Sequence, residues 1–192
     1  MKKWIFALIL ALTAGLLYTV NADYERLTEN VVRLHVVANS DSEEDQALKL
    51  QARDAIQAYL APILRGASSS EEAKNRMTAH LEDIEAAARS VLPEDTTVTV
   101  TLQKEVFDTR HYDTFSLPAG VYDSLRVTIG EGAGHNWWCV VFPDFCYGDL
   151  TGEAESIGLS NSLTATLQGD AGYELRFGLL DLWGRFQTWL PG

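Results

Sequence analysis

The chain has 192 residues. That is enough for one domain, with or without a small extension, and enough to bury roughly 70% of its unfolded surface in a core of its own. Hydrophobic residues make up 46% and charged residues 22%, which excludes wholesale disorder. A formal charge of −12 excludes binding by phosphate neutralisation, so nucleic acid is not an expected partner, and anionic lipid headgroups repel the chain on average. A protein partner with a basic patch fits better.

The N-terminus is built differently. Lys2 and Lys3 precede an apolar run from Trp4 to Val20, interrupted only by Thr13, Gly15 and Thr19. Val20-Asn21-Ala22 then offers small or β-branched residues where a signal peptidase reads, with Ala22 the expected cleavage residue, and charge begins at Asp23. The run is long for the apolar region of a signal peptide and short for a bilayer span of about 20 residues. Residues 1–22 read as a signal peptide or a membrane anchor, and both place residues 23–192 outside the compartment of synthesis. Membrane association would run through residues 4–20.

Val32, Leu34 and Val36 alternate with Arg33 and His35, which predicts a strand. It ends at Asn39-Ser40-Asp41-Ser42, a run of strong helix N-cap formers. Asp41 with Glu44, or Ser42 with Asp45, is spaced for a capping-box-like pair, and the acids suit the first turn of a helix. Leu48, Ala52, Ile56, Tyr59 and Ile63 continue at helical spacing to Gly66, with Pro62 predicting a kink or an early end. A second helix opens at Ser68–Glu72, runs through Met77, Leu81, Ile84 and Ala88, and stops at Pro93. Val98, Val100 and Leu102 alternate with threonines and Gln103, a strand with one polar face. Residues 107–120 are turn-rich. Leu125, Val127 and Ile129 mark a third strand, Gly130–Asn136 a loop, and Trp137–Phe142 a fourth strand; the last two are expected to pair as a hairpin.

Residues 147–172 are polar and weakly patterned, and read as a flexible linker or a long surface loop. The final segment, 173–192, reads as an amphipathic helix with Leu175, Leu179, Leu182, Phe186 and Trp189 on one side. That side is expected to dock on the core; the alternative is an aromatic face shown to a partner or a membrane surface. The element order predicts an α+β fold, with a mixed, mostly antiparallel sheet of about four strands and helices on one face. The main domain is 23–146, preceded by the signal or anchor helix.

No G-x-S-x-G, H-E-x-x-H, C-x-x-C or Walker motif occurs, and neither D-T-G nor D-S-G. No catalytic residue, cofactor or metal is expected. The loop Gly130-Glu131-Gly132-Ala133-Gly134-His135-Asn136 suits a connection between strands better than an anion nest, because dinucleotide spacing is absent. His35 with Asp41 and Asp45 could be grouped as metal ligands, but a strand histidine bonded to a neighbouring carboxylate and an aspartate cap account for them more simply. Trp137 and Trp138 point to opposite faces of their strand, one into the core and the other free to anchor a partner. Cys139 and Cys146 lie in the exported part, where a disulfide is their simplest use.

The blocks RLHVVANSDSEEDQALKLQARDAI and LPAGVYDSLRVTIGEGAGHNWWCVVFPDFC strongly resemble the stage II sporulation protein R family. The chain departs from that pattern at Asp144, where a second proline is expected. The resemblance implies an intercellular signal of endospore-forming bacteria, made in the forespore and exported between the two membranes. There it would trigger a membrane-embedded aspartic protease of the mother cell that removes the pro-sequence of a sigma factor, acting as activator and not as protease. Small-molecule substrates are not expected. On this reading His35, Asn39, Asp41, Asp45 and Gln46 join Gly130, Glu131, Gly132, Asn136, Trp137 and Trp138 in a surface read by the protease. The alternatives are an exported wall or glycan hydrolase using His35, Asp41 and Glu131, and an envelope adhesion module.

Overall fold

The computed structural model describes residues 2–144, 159–170 and 172–189. In chain order the described elements are α1 (Lys2–Asn30), β1 (Val32–Val37), α2 (Glu43–Leu64), α3 (Ser70–Ala79), α4 (Leu81–Arg89), β2 (Val98–Phe107), β3 (Arg110–His111), β4 (Ser116–Leu117), β5 (Gly120–Ile129), β6 (Asn136–Phe142), α5 (Asn161–Gln168) and α6 (Glu174–Trp189). The chain forms two compact units. One comprises Met1–Thr28, Val106–Val121 and Leu159–Gly192; the other comprises Glu29–Glu105 and Tyr122–Gly158.

The second unit is built on a four-stranded sheet in the order β2-β5-β1-β6. β1 runs parallel to β5, with Leu34 opposite Leu125 and His35 opposite Arg126. It runs antiparallel to β6, with Leu34 opposite Cys139 and His35 opposite Trp138. The amide of Gly130, just past β5, donates to Thr97 O at the start of β2, the sense of an antiparallel ladder. Alternate side chains Val32, Leu34 and Val36, with Leu125, Val127 and Ile129, meet Ile56 and Leu60 of α2, Met77 of α3 and Ile84 of α4 in one core. The fold is α+β with a mixed, mostly antiparallel sheet and an N-terminal apolar helix, as expected.

The expected hairpin between the last two strands does not form, because β1 lies between β5 and β6. All six residues of β1 are buried, which suits a central strand hydrogen-bonded on both edges. The loop after β5 therefore has to cross the end of β1. Ala133 N donates to Asn39 O at 3.1 Å and Gly134 N to Ala38 O at 3.0 Å on the way.

The helices also differ from expectation in detail. The single helix expected from Ser68 to Val91 is broken at His80, whose ring meets Tyr59 Oη at 3.0 Å and Asp83 Oδ2 at 3.0 Å. α2 does not end early: Pro62 sits inside its last turn, and Arg65 N still donates to Ala61 O. Part of the expected linker is helical. Ser160 caps α5 through Leu163 N, Gly169 closes it, and Leu163 and Leu167 are buried. The polar composition of this stretch conceals the i, i+4 leucine pair that decides it.

In the first unit, α1 is long and apolar enough to cross a membrane. Its leading residues are exposed, whereas Val20, Tyr24 and Leu27 are buried. Ala22 lies inside the unbroken helix. α6 packs beside this end of α1: Arg176 pairs with Asp23 at 2.5 Å, Trp183 Nε1 donates to Asn21 Oδ1 at 3.0 Å, and Gly184 lies against Tyr24 and the Ala119 backbone. Contrary to expectation, α6 docks through Leu180 and Gly184, and Leu175, Leu182, Phe186 and Trp189 are left exposed. The reason is that both sides of this helix are apolar, so hydrophobic periodicity alone does not choose between them.

Candidate functional site

The strand alternation that sends Leu34 towards the helices sends Arg33 and His35 to the other face of the sheet. There His35 Nδ1 lies 3.2 Å from Glu105 Oε2, and its Nε2 lies 3.0 Å from Asn136 Oδ1. The imidazole stacks on Trp138, with ring centroids 5.4 Å apart. Arg126 donates to Glu105 Oε1 at 2.8 Å. Burial would raise the Glu105 pKa, but the nearby Ser124 hydroxyl and the hydrogen bonds from Arg126 and His35 outweigh it and hold the carboxyl below its ordinary value. Beside this cluster the buried Arg33 guanidinium lies over the Tyr122 ring at 5.1 Å. The expected carboxylate partner of His35 exists, but it comes from β2, seventy residues along the chain.

The second half of the site is a junction of two loops. Asn39 donates to Asp45 Oδ2 at 2.9 Å and accepts from Glu131 N at 3.0 Å. Ser40 Oγ donates to the same Asp45 oxygen at 2.5 Å, and Gln46 Nε2 donates to Ser40 O at 2.8 Å. Lys49 reaches Gln46 Oε1 and, at 2.9 Å, the carbonyl of His135. Asp41 accepts from His135 N at 2.6 Å and from the His135 ring. The cap of α2 is Ser42, which accepts from Asp45 N at 3.1 Å, and not Asp41. Asp45 is held below the ordinary carboxylate range by its bonds from Ser40 and Asn39, while burial lowers the Lys49 pKa.

Two glycines make the junction close enough. Gly130 has φ +58°, and a Cβ there would overlap the Asn39 side chain. A Cβ on Gly134 would overlap the backbone of Ser40. The polar excess after β1 is therefore largely a stitch. Asn39 and Lys49 bind the β1–α2 segment to the β5–β6 loop that crosses above it, Asp41 does so at the exposed edge, and Ser40, Asp45 and Gln46 hold Asn39 and Lys49 in place.

What the stitch leaves at the surface is a rim. Asp41, Glu131, His135 and Asn136 are exposed, and Asn39, Asp45, Gln46 and Gly132 are half-buried. Trp137 and Trp138 take opposite faces. Trp137 packs against the helix-side core with Arg53 over its ring at 4.9 Å, and Trp138 joins His35. Glu105, Arg126, Ser40 and Lys49 were not singled out from the sequence. Arg126 had a signal, a charge between Leu125 and Val127 on an apolar strand, whereas Glu105 follows Lys104 at the polar end of its strand and had none.

The carboxylates considered for catalysis or metal binding fall into separate networks. His35 serves Glu105 and Asn136, Asp41 serves His135, and Asp45 serves Asn39 and Ser40. A cleft lined by Gln57, Leu60, Leu64, Val141 and Phe142 contains none of them. Among the described residues no group of three or more His, Cys, Asp or Glu is placed to hold a metal ion. Cys139 is buried on β6, and the expected pairing with Cys146 lies outside the described residues.

The family model for stage II sporulation protein R matches residues 28–152, a span that holds every residue of both networks. The chain is also 36% identical over 132 residues to stage II sporulation protein R of Bacillus subtilis (strain 168). That match covers 67% of this chain and 59% of the relative, so it spans little more than half of the relative's length. No solved structure matches. On the extent of the family match and the identity to this relative, the chain belongs to the stage II sporulation protein R family.

Proposed function

We propose that this protein is an exported signal of endospore formation. It activates a membrane-embedded aspartic protease of the mother cell, which then processes a sigma-factor precursor. The single observation that carries this reading is the family match across the whole second unit's described sheet and both networks. The apolar α1 supports export, and the exposed rim of Asp41, Glu131, His135 and Asn136 supports binding over bond-breaking chemistry. The protein acts as activator and not as enzyme. Binding of the rim and of Trp138 favours the active arrangement of the protease by differential affinity.

The helix α1 serves as an anchor at the outer face of the forespore membrane. This is supported by its unbroken course through Ala22 and by the hydrogen bond that ties Asn21 to Trp183. A Cys139–Cys146 disulfide belongs to the same reading, since the space between the membranes permits it.

Co-expression with the cognate membrane protease and a tagged precursor in a non-sporulating host tests the proposal. Cleavage that depends on this protein is the expected outcome. In the same assay Glu131→Ala with Asn136→Ala abolishes cleavage while folding and export persist. Asn39→Ala impairs cleavage only as far as it loosens the fold. Full cleavage with the Glu131→Ala, Asn136→Ala protein would remove the rim from the recognition surface.

A further inference from the structure

Among the described residues nothing covers most of the apolar stripe of α6. Leu175, Leu179, Leu182, Phe186 and Trp189 recur at helical spacing, and four of them are exposed, Leu175 at 77% and Trp189 at 76%. The opposite side is the one packed on the protein through Leu180 and Gly184. A continuous apolar stripe on the side turned away from the protein calls for cover by a partner or by lipid.

Its position supplies the occupant. Asn21, Asp23 and Tyr24 of α1 hold α6 through Trp183, Arg176 and Gly184. These α1 residues come directly after the apolar run that ends at Val20. At about 1.5 Å per residue that run nearly spans a hydrocarbon core of about 30 Å. The residues that follow it therefore emerge at headgroup level, where tryptophan side chains are enriched. The charges of α6 do not oppose lipid. Arg176 is paired with Asp23 and Arg185 with Asp181, and Glu174 is the remaining acid on the helix.

We propose that the Leu175–Trp189 stripe lies in the headgroup and upper acyl region of the membrane that α1 spans, so that α6 is an interfacial helix clamping the exported chain against its own bilayer. This rests on the anchor reading of α1, and it adds a second membrane contact outside the family-matched region of residues 28–152.

The test is tryptophan fluorescence of the full chain in phosphatidylcholine vesicles, with and without lipid brominated near the headgroup end of its acyl chains. The Trp189 contribution is read as the difference from Trp189→Phe, and that of the anchor as the difference from Trp4→Phe. The expected result is a blue-shifted Trp189 emission that brominated lipid quenches at least twofold. A red-shifted Trp189 emission, open to iodide and untouched by brominated lipid, overturns the proposal. So does a blue-shifted emission that brominated lipid leaves unchanged, because protein, such as a second copy, would then cover the stripe. Quenching of Trp4 in either case keeps the anchor standing and confines the failure to α6. Loss of both signals removes the anchor as well. Trp189→Phe is conservative and exposed, so folding is retained, and circular dichroism of each variant confirms it.

Discussion

The loop junction and the sheet face spend their polar residues in opposite ways. At the junction, Asn39, Ser40, Asp45 and Gln46 are used on each other and on the backbone of the crossing loop, so little of their hydrogen-bonding capacity points outward. On the sheet face, His35, Glu105 and Arg126 are also joined, but the network runs to the exposed Asn136 and to the half-buried Trp138. A dense polar motif is thus no proof of a recognition surface. Part of it holds the framework, and the part that reaches solvent is what a partner can read.

The largest way to break this comparison is to push the loops apart. Gly134→Ala places a methyl group against the Ser40 backbone, and the overpacking lowers stability by about 2–3 kcal/mol, read from the midpoint of urea unfolding. A loss within about 0.5 kcal/mol would mean that the loops tolerate separation and that the junction is no stitch.

A middle-sized effect comes from the sheet face. Glu105→Gln costs about 2 kcal/mol at neutral pH, the scale of a charge-assisted hydrogen bond lost inside a protein. The sign with pH follows from the lowered folded pKa of Glu105. Its contribution is complete above the ordinary value of 4.5 and is lost as pH falls through the lower folded value. Stability curves of the two proteins therefore converge in acid below about pH 4, and a constant gap down to pH 3 would show that the carboxylate charge is not what matters.

The smallest effect on stability belongs to the rim. Asp41→Asn changes stability within about 0.5 kcal/mol, because Asp41 and His135 are 55% and 78% exposed at the side chain. The same substitution reduces protease activation in the co-expression assay. Strong destabilisation with no change in activation would reverse the assignment and make Asp41 part of the stitch.

Much of the fold was legible in the chain. The two-residue alternation of Val32–Val36 and Val98–Leu102 marked strands, and a run of cap formers followed by acids marked the start of α2, while the choice of Ser42 over Asp41 as the cap came from the structure. The β5–β6 hairpin was misread because a short glycine-rich loop between two strands is compatible with a direct turn and with a crossing, and local residues do not say whether a third strand lies between. The direction faced by α6 was misread for a related reason: Leu180 and Gly184 make a packing side as good as the leucine and aromatic stripe. Of the site, His35, Asn39, Asp41 and Asn136 were legible from motif density, whereas Glu105 and Arg126 carry no motif and gain meaning only as neighbours.

By itself the sequence determined the apolar N-terminal helix, the α+β class, the start of α2 and the family, because these depend on composition, on spacing within one element, and on long blocks of residue identities. Tertiary structure decided which strand is central, what His35 touches, and which polar side chains are free. Those outcomes turn on pairings between residues seventy or more positions apart, such as His35 with Glu105 and Asn39 with Glu131. No local propensity encodes such pairings; they are settled by which arrangement buries the apolar faces while leaving the polar groups bonded.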